Sequence, residues 1–231
     1  MRQFISKYKK PLSIIISFLI MASVLGWKIS LIMIGIVSWH ESGHLYASRK
    51  LGYRTDGFIM LPFIGGMSFS DISAATVYEK SIVYLAGPIS GLVISIATFV
   101  LGVVLHNNYM FAVCLINSIM NMFNLIPLGG LDGGGFIQCI FSTIHPKINQ
   151  WFKIFSCVAL STLFLIIHAP ALLLMIGFSI LDCGTKNPYY GYQFDFNKTM
   201  KHITAYFSIM TIYVIIIHYC PGLDLVFNVL K

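Results

Sequence analysis

Seven apolar stretches alternate with short polar connections along the chain: Pro11 to Gly26, Ile29 to Tyr46, Ser81 to Leu105, Met110 to Leu125, Trp151 to His168, Ala169 to Cys183, and Ile203 to His218. Several are shorter than the ~20 residues of an upright membrane helix, so tilt or local thinning enters the expectation. Read as one helix, Trp151 to Cys183 would be about 50 Å long, too much for a hydrocarbon core of about 30 Å. The tripeptide His168-Ala169-Pro170 divides it, because proline lacks a donor and disfavours helix in the residue before it. Between the second and third stretches, Thr55 to Val77 carries FIMLPFIGGMSFSD. There Gly65-Gly66 reads as the turn of a β-hairpin and Pro62 confines its arm to an edge; the other reading is a surface-lying loop. The pattern predicts an all-α polytopic membrane protein of about six to seven transmembrane helices, with a small membrane-associated β-hairpin between helices 2 and 3.

Composition agrees. Of 231 residues, 57% are hydrophobic and 10% charged, which excludes an ordinary soluble surface. The net charge of +7 lies in short runs between apolar segments and not in one patch, so no nucleic-acid partner is expected. It does set a topology. With seven crossings and a cytosolic N-terminus, only Lys28 and Lys231 fall outside, whereas fusing the fifth and sixth stretches would move Lys186, Lys198 and Lys201 across the membrane. The N-terminal MRQFISKYKK lacks a following small-residue cleavage site and is expected to lead an uncleaved first helix. The five cysteines stand singly, without CxxC spacing, and suggest packing and not a disulfide framework. His106, His145, His168, His202 and His218 lie at turns and span ends, and Trp27 and Trp151 suit interfacial anchors.

The chemistry concentrates in Trp39-His40-Glu41-Ser42-Gly43-His44. On a helix His40 and His44 share one face a turn apart, so two ring nitrogens reach one cation while Glu41 works on a bound water. Such groups at membrane depth cost roughly 2 to 4 kcal/mol each, and a divalent ion would satisfy all three. The bland reading is a histidine pair hydrogen-bonded to neighbouring helices. A hydrolytic zinc site needs a third protein ligand and leaves a fourth position for water. Asp132 and Asp182 are the acidic candidates near span ends. Asp132 follows a helix that stops at Pro127 and sits among glycines that free the backbone, which favours it; a turn aspartate capping its own backbone is the alternative.

HESGH in an early span, LPFIGG, AGPISG at Ala86 to Gly91 and NLIPLGGLDGG at Asn124 to Gly134, in that order, resemble the site-2 protease family of intramembrane zinc metalloproteases. The resemblance covers Ile29 to Ile137. It implies a single transmembrane protease domain over 1–231, with core motifs at 29–137 and C-terminal helices at 151–219 that lack motif support. It further implies that His40, His44 and Asp132 ligate zinc and that Glu41 is the catalytic acid and base. Asn124, Pro127, Gly65 and Gly66 would line the substrate site, with the hairpin offering its strand to an unwound substrate. The AGP segment would be a helix break.

The implied partners are a transmembrane protein substrate, the lipid bilayer and a regulatory membrane protein. The implied address is a bacterial plasma membrane, with a cytosolic N-terminus and active-site opening. Members often carry asparagine shortly after AGP, where Ser90 and Gly91 stand here, and neither a PDZ insertion nor a CBS tail is seen. Two other classes fit parts of the pattern: a metal transporter with a transient midplane site, and a non-proteolytic binder of membrane proteins using the same fold.

Overall fold

The computed structural model describes residues 2–63, 65–144, 146–168, 173, 176–177 and 194–221. The chain is mostly helical, with one two-stranded antiparallel sheet. Its elements are α1 (Arg2–Leu25), α2 (Trp27–Lys50), β1 (Thr55–Leu61), β2 (Gly65–Ser70), α3 (Val77–Val104), α4 (Asn108–Asn124), α5 (Asp132–Ile144), α6 (Pro146–Ile167) and α7 (Phe196–Tyr219). The expected stretch Ala169 to Cys183, its turn at Ala169-Pro170, Asp182 and most of the loop from Gly184 fall outside the described residues. Two helices, α3 and α7, are long and apolar enough to cross a membrane, and shorter apolar helices run over Lys10–Leu25 and Gln150–Ile166. The described residues form two compact units, one from Met1–Ile72, Ala86–Phe123 and Ser208–Lys231, the other from Ser73–Leu85 and Asn124–Phe207.

In the first unit, α2 starts directly after Gly26, whose φ of +83° suits glycine, and it ends with Arg49 and Lys50 in its last turn, where positive charge meets the carbonyl end of the helix. The hairpin is present, but its turn is not at the glycines. Gly65 and Gly66 pair with Leu61 and Met60 inside β2, and the connection is 62–64. Pro62 cannot donate to the ladder, so pairing ends at Leu61, and Phe63 takes the left-handed φ of 63° that reverses the chain. Helix α1 holds the outer edge of β1: the Met60 N–H donates to Ser13 Oγ and the Ser17 hydroxyl donates to Met60 O, both at 3.1 Å. Such edge groups would otherwise go unpaired in an apolar setting.

The expected helix break at Ala86-Gly87-Pro88 is absent, and α3 runs through it with Pro88 in its interior. Proline's lost donor frees the carbonyl one turn earlier; separately, the buried Tyr213 hydroxyl donates to Pro88 O at 2.7 Å. Ala112, Cys114, Leu115, Ile216 and Cys220 form an apolar cluster with Ile29, Ile32, Leu92 and Phe99. Buried polar side chains and outward-facing apolar ones accompany this cluster. Ser95, Asn117, Ser118 and Asn121 are buried, whereas Val93, Ile96, Val100 and Val103 face outward. Apolar outer faces of this extent suit lipid as the surrounding solvent.

The second unit opens α3 with a capping box: Thr76 N–H and Oγ both donate to Glu79 Oε2 at 2.8 Å, and Glu79 N–H returns to Thr76 Oγ. Helix α4 ends at Asn124, and the chain folds tightly through Leu125–Leu131 before α5 begins at Asp132, a helix the apolar pattern does not predict. Leu131 and Leu160 form a core with Ile126, Leu128, Leu163 and Phe164. Helix α6 stops at Ile167, and His168 follows at a φ of 54°, where the sequence placed the break. Asp195 caps α7 by accepting from the Lys198 N–H, which holds its carboxyl below the usual range.

Replacing Tyr213 by Phe removes the buried side-chain hydrogen bond to the Pro88 carbonyl. The expected outcome is a loss of about 1 kcal/mol, read as a lower unfolding temperature of the detergent-solubilised protein.

Candidate metal centre

His40, Glu41 and His44 of α2 are all buried, each 5% exposed or less. The Nε2 atoms of His40 and His44 stand 3.0 Å apart, and the rings meet edge to face with centroids 4.8 Å apart. The i, i+4 spacing does what the sequence required of it. At this separation two neutral imidazoles aim one nitrogen each at a common point, an arrangement a divalent cation fits. The other nitrogen of His40 is engaged: Nδ1 lies 2.8 Å from Asn121 Oδ1 on α4.

Two glycines leave the room this site needs. A Cβ on Gly87 of α3 would run into His44 Nε2 and lie 2.7 Å from His40 Nε2, so the space beside both nitrogens exists because residue 87 has no side chain. A Cβ on Gly66 of β2 would collide with the Glu41 side chain, 2.7 Å from Oε1. The hairpin strand therefore passes against the carboxylate, with peptide groups and no side chain facing it. The indole N–H of Trp39 donates to Ser90 O at 2.9 Å and holds α2 to α3. The Ser90 hydroxyl itself donates to Gly87 O at 2.7 Å.

Asn124, Pro127 and Asp132 belong to the second unit and are held in one compact turn. Asn124 is the last residue of α4, Pro127 is exposed in the turn, and Asp132 is half-buried as the first residue of α5. The turn is closed by Leu131 N–H to Leu128 O at 3.2 Å and by Gly130 at a φ of +87°. A Cβ on Gly133 or Gly134 would strike the carbonyls of Leu125 and Leu128, so the glycines that follow Asp132 let α5 begin directly against the turn. Tyr206, stacked on Phe136 at 4.8 Å, donates its hydroxyl to Leu125 O.

Sequence reasoning missed Asn117, Asn121 and Gly87. A signal existed for the first two: asparagines four apart in an otherwise apolar helix share one face, and buried amides at membrane depth need a purpose.

Residues 28–107 match the model of peptidase family M50. The chain is 29% identical to a zinc metalloprotease of Methanocaldococcus jannaschii over 145 residues, which covers 60% of this chain and 42% of that protein. It is 27% identical to stage IV sporulation protein FB of Bacillus subtilis over 121 residues, covering 52% of this chain and 42% of the relative. These matches make the motif-bearing segment similar to peptidase family M50, in agreement with its resemblance to the site-2 proteases. The chain spans about two fifths of the length of each of these curated relatives, 42% in both cases.

Gly87→Ala is expected to abolish metal retention while leaving the helical circular dichroism intact, checked by metal analysis of the purified protein. Gly66→Ala pushes on Glu41 and not on the imidazoles, so it should retain metal and lose hydrolytic activity.

Proposed function

We propose that this protein is an intramembrane zinc metalloprotease that hydrolyses a peptide bond in or near the transmembrane segment of a membrane-protein substrate. The observation that carries this reading is the buried face of α2, where two imidazole nitrogens lie 3.0 Å apart beside a carboxylate that a β-strand touches. The family match and a relative named as a zinc metalloprotease support it. His40 and His44 hold the metal and Asp132 completes the protein ligands, because three donors and one open position are what hydrolytic zinc requires. When bound, zinc supplies a Lewis acid that makes water acidic, with a pKa of about 7, and polarises the substrate carbonyl.

The chain's own residues do the rest. Glu41 accepts the proton of the attacking water and returns it to the leaving amine. The amide of Asn124 donates to the carbonyl oxygen as it gains charge, and Pro127 lines the same turn. A helical substrate hides its carbonyls in its own hydrogen bonds, so it must unwind to be cut. Strand β2, with Gly65 and Gly66, offers replacement backbone bonds by strand addition. The opposite edge of the hairpin is already engaged by Ser13 and Ser17, which leaves β2 as the arm for the substrate.

In this reading residues 1–231 form a single multi-pass protease domain in a bacterial plasma membrane, with its opening and N-terminus on the cytosolic side. Water enters past the glycines of Gly129 to Gly135. A regulatory membrane protein controls access.

The test is incubation of the purified protein with candidate single-span proteins, with and without a chelator, read by mass spectrometry. Chelator-sensitive fragments cut at a membrane-embedded bond are expected. Zinc flux into proteoliposomes without any cleavage would replace the protease with a transporter, and binding without cleavage would replace it with a scaffold. Glu41→Gln should keep zinc and abolish cleavage. Asp132→Asn should weaken zinc binding by more than the roughly 10- to 100-fold that loss of an outer partner costs.

A further inference from the structure

A chain of buried amides and hydroxyls leads away from His40 through the first unit. Asn121 Oδ1 lies 2.8 Å from His40 Nδ1. The Nδ2 of Asn121 donates to Asn117 O and Asn117 Oδ1, both at 2.9 Å. The Nδ2 of Asn117 donates in turn to Gly91 O and Ser95 Oγ, both at 2.7 Å, and Ser95 pairs with Ser118 at 2.7 Å. Asn117, Asn121, Ser95 and Ser118 are each 1% exposed or less.

The direction of this chain is not free. The carbonyl oxygens of Gly91 and Asn117 can only accept, so the NH2 group of each asparagine must face them. That leaves Asn121 Oδ1, an acceptor, toward the histidine, and His40 must donate from Nδ1–H. The lone pair of His40 is then on Nε2, the nitrogen that faces His44. Gly91 belongs to the same device, because a Cβ there would collide with the Asn121 amide.

We infer that Asn121, oriented by Asn117, is a positioning residue that locks His40 in its Nδ1–H tautomer and aims Nε2 at the metal position. A buried ring in the other tautomer would present an N–H where the metal must bind, and reversing it would put two acceptors face to face at Asn121. Both costs fall on the metal-free protein, so the lock acts before the cation arrives. It thereby removes the reorganisation that binding would otherwise require. The carboxylate that often supports a metal-bound histidine is replaced by a neutral amide. This suits the setting, since a further buried charge would need its own partner. The inference rests on the proposed metal reading, but its first consequence concerns the tautomer of one ring without metal.

Two measurements test it. Nitrogen-15 NMR of metal-free protein labelled at histidine, with His40→Gln used for assignment, should show His40 as the Nδ1–H tautomer. Asn121→Leu should shift it to a mixture. Competition with a chromophoric chelator should show zinc bound roughly 10- to 100-fold more weakly by Asn121→Leu. Asn121→Asp keeps the acceptor toward His40 but loses the donors toward Asn117, so it should restore the Nδ1–H tautomer while recovering only part of the zinc affinity, and a general packing defect would not restore the tautomer. Asn117→Leu, which touches neither histidine, should weaken zinc binding by a smaller factor.

Wild-type zinc affinity in Asn121→Leu, or an unchanged tautomer there, overturns the inference. Failure of the wild-type protein to bind zinc at all overturns the metalloprotease reading instead, and the tautomer measurement still decides the role of Asn121.

Discussion

Charged and polar side chains are costly in an apolar interior unless they are hydrogen-bonded, and the surroundings of His40 are organised by that requirement. His40 has Asn121 behind it, Asn121 has Asn117, and Asn117 ends on a backbone carbonyl and a serine. Each link is neutral, so no second buried charge is introduced to support the first. Where water cannot step in for a missing bond, such a chain fixes a ring without an added charge.

The same economy explains where side chains are missing. Gly87 and Gly66 lie on a helix and a strand that both approach α2, and a methyl group at either would enter the space of the imidazoles or of the carboxylate. Close approach serves chemistry twice over. It dries the site, and it brings a strand with free peptide geometry alongside the group proposed to move the proton. Helix α3 is uninterrupted there although it contains Gly87 and Pro88, and Tyr213 adds a hydrogen bond to the Pro88 carbonyl.

The hairpin shows how two constraints on one short segment were resolved. Paired glycines between apolar runs are the usual sign of a turn, yet here they are strand residues, and the turn falls to Pro62 and its neighbour Phe63. The glycines are needed for what lies beside the strand, and a sequence pattern does not carry that information. Serines of α1 then seal the far edge of the hairpin.

By itself the sequence determined the apolar segments, the hairpin, and the histidine pair on one helix face, because hydrophobic period and i, i+4 spacing are local properties of the chain. It also carried the motif order that the match to family M50 over residues 28–107 supports. Tertiary structure alone decided that α3 continues through Pro88, that Asp132 opens a helix, and that Asn121 stands behind His40, 81 positions away in sequence. Those outcomes depend on which buried polar atoms meet across helices, and a linear pattern cannot assign hydrogen-bond partners between segments whose packing it does not contain.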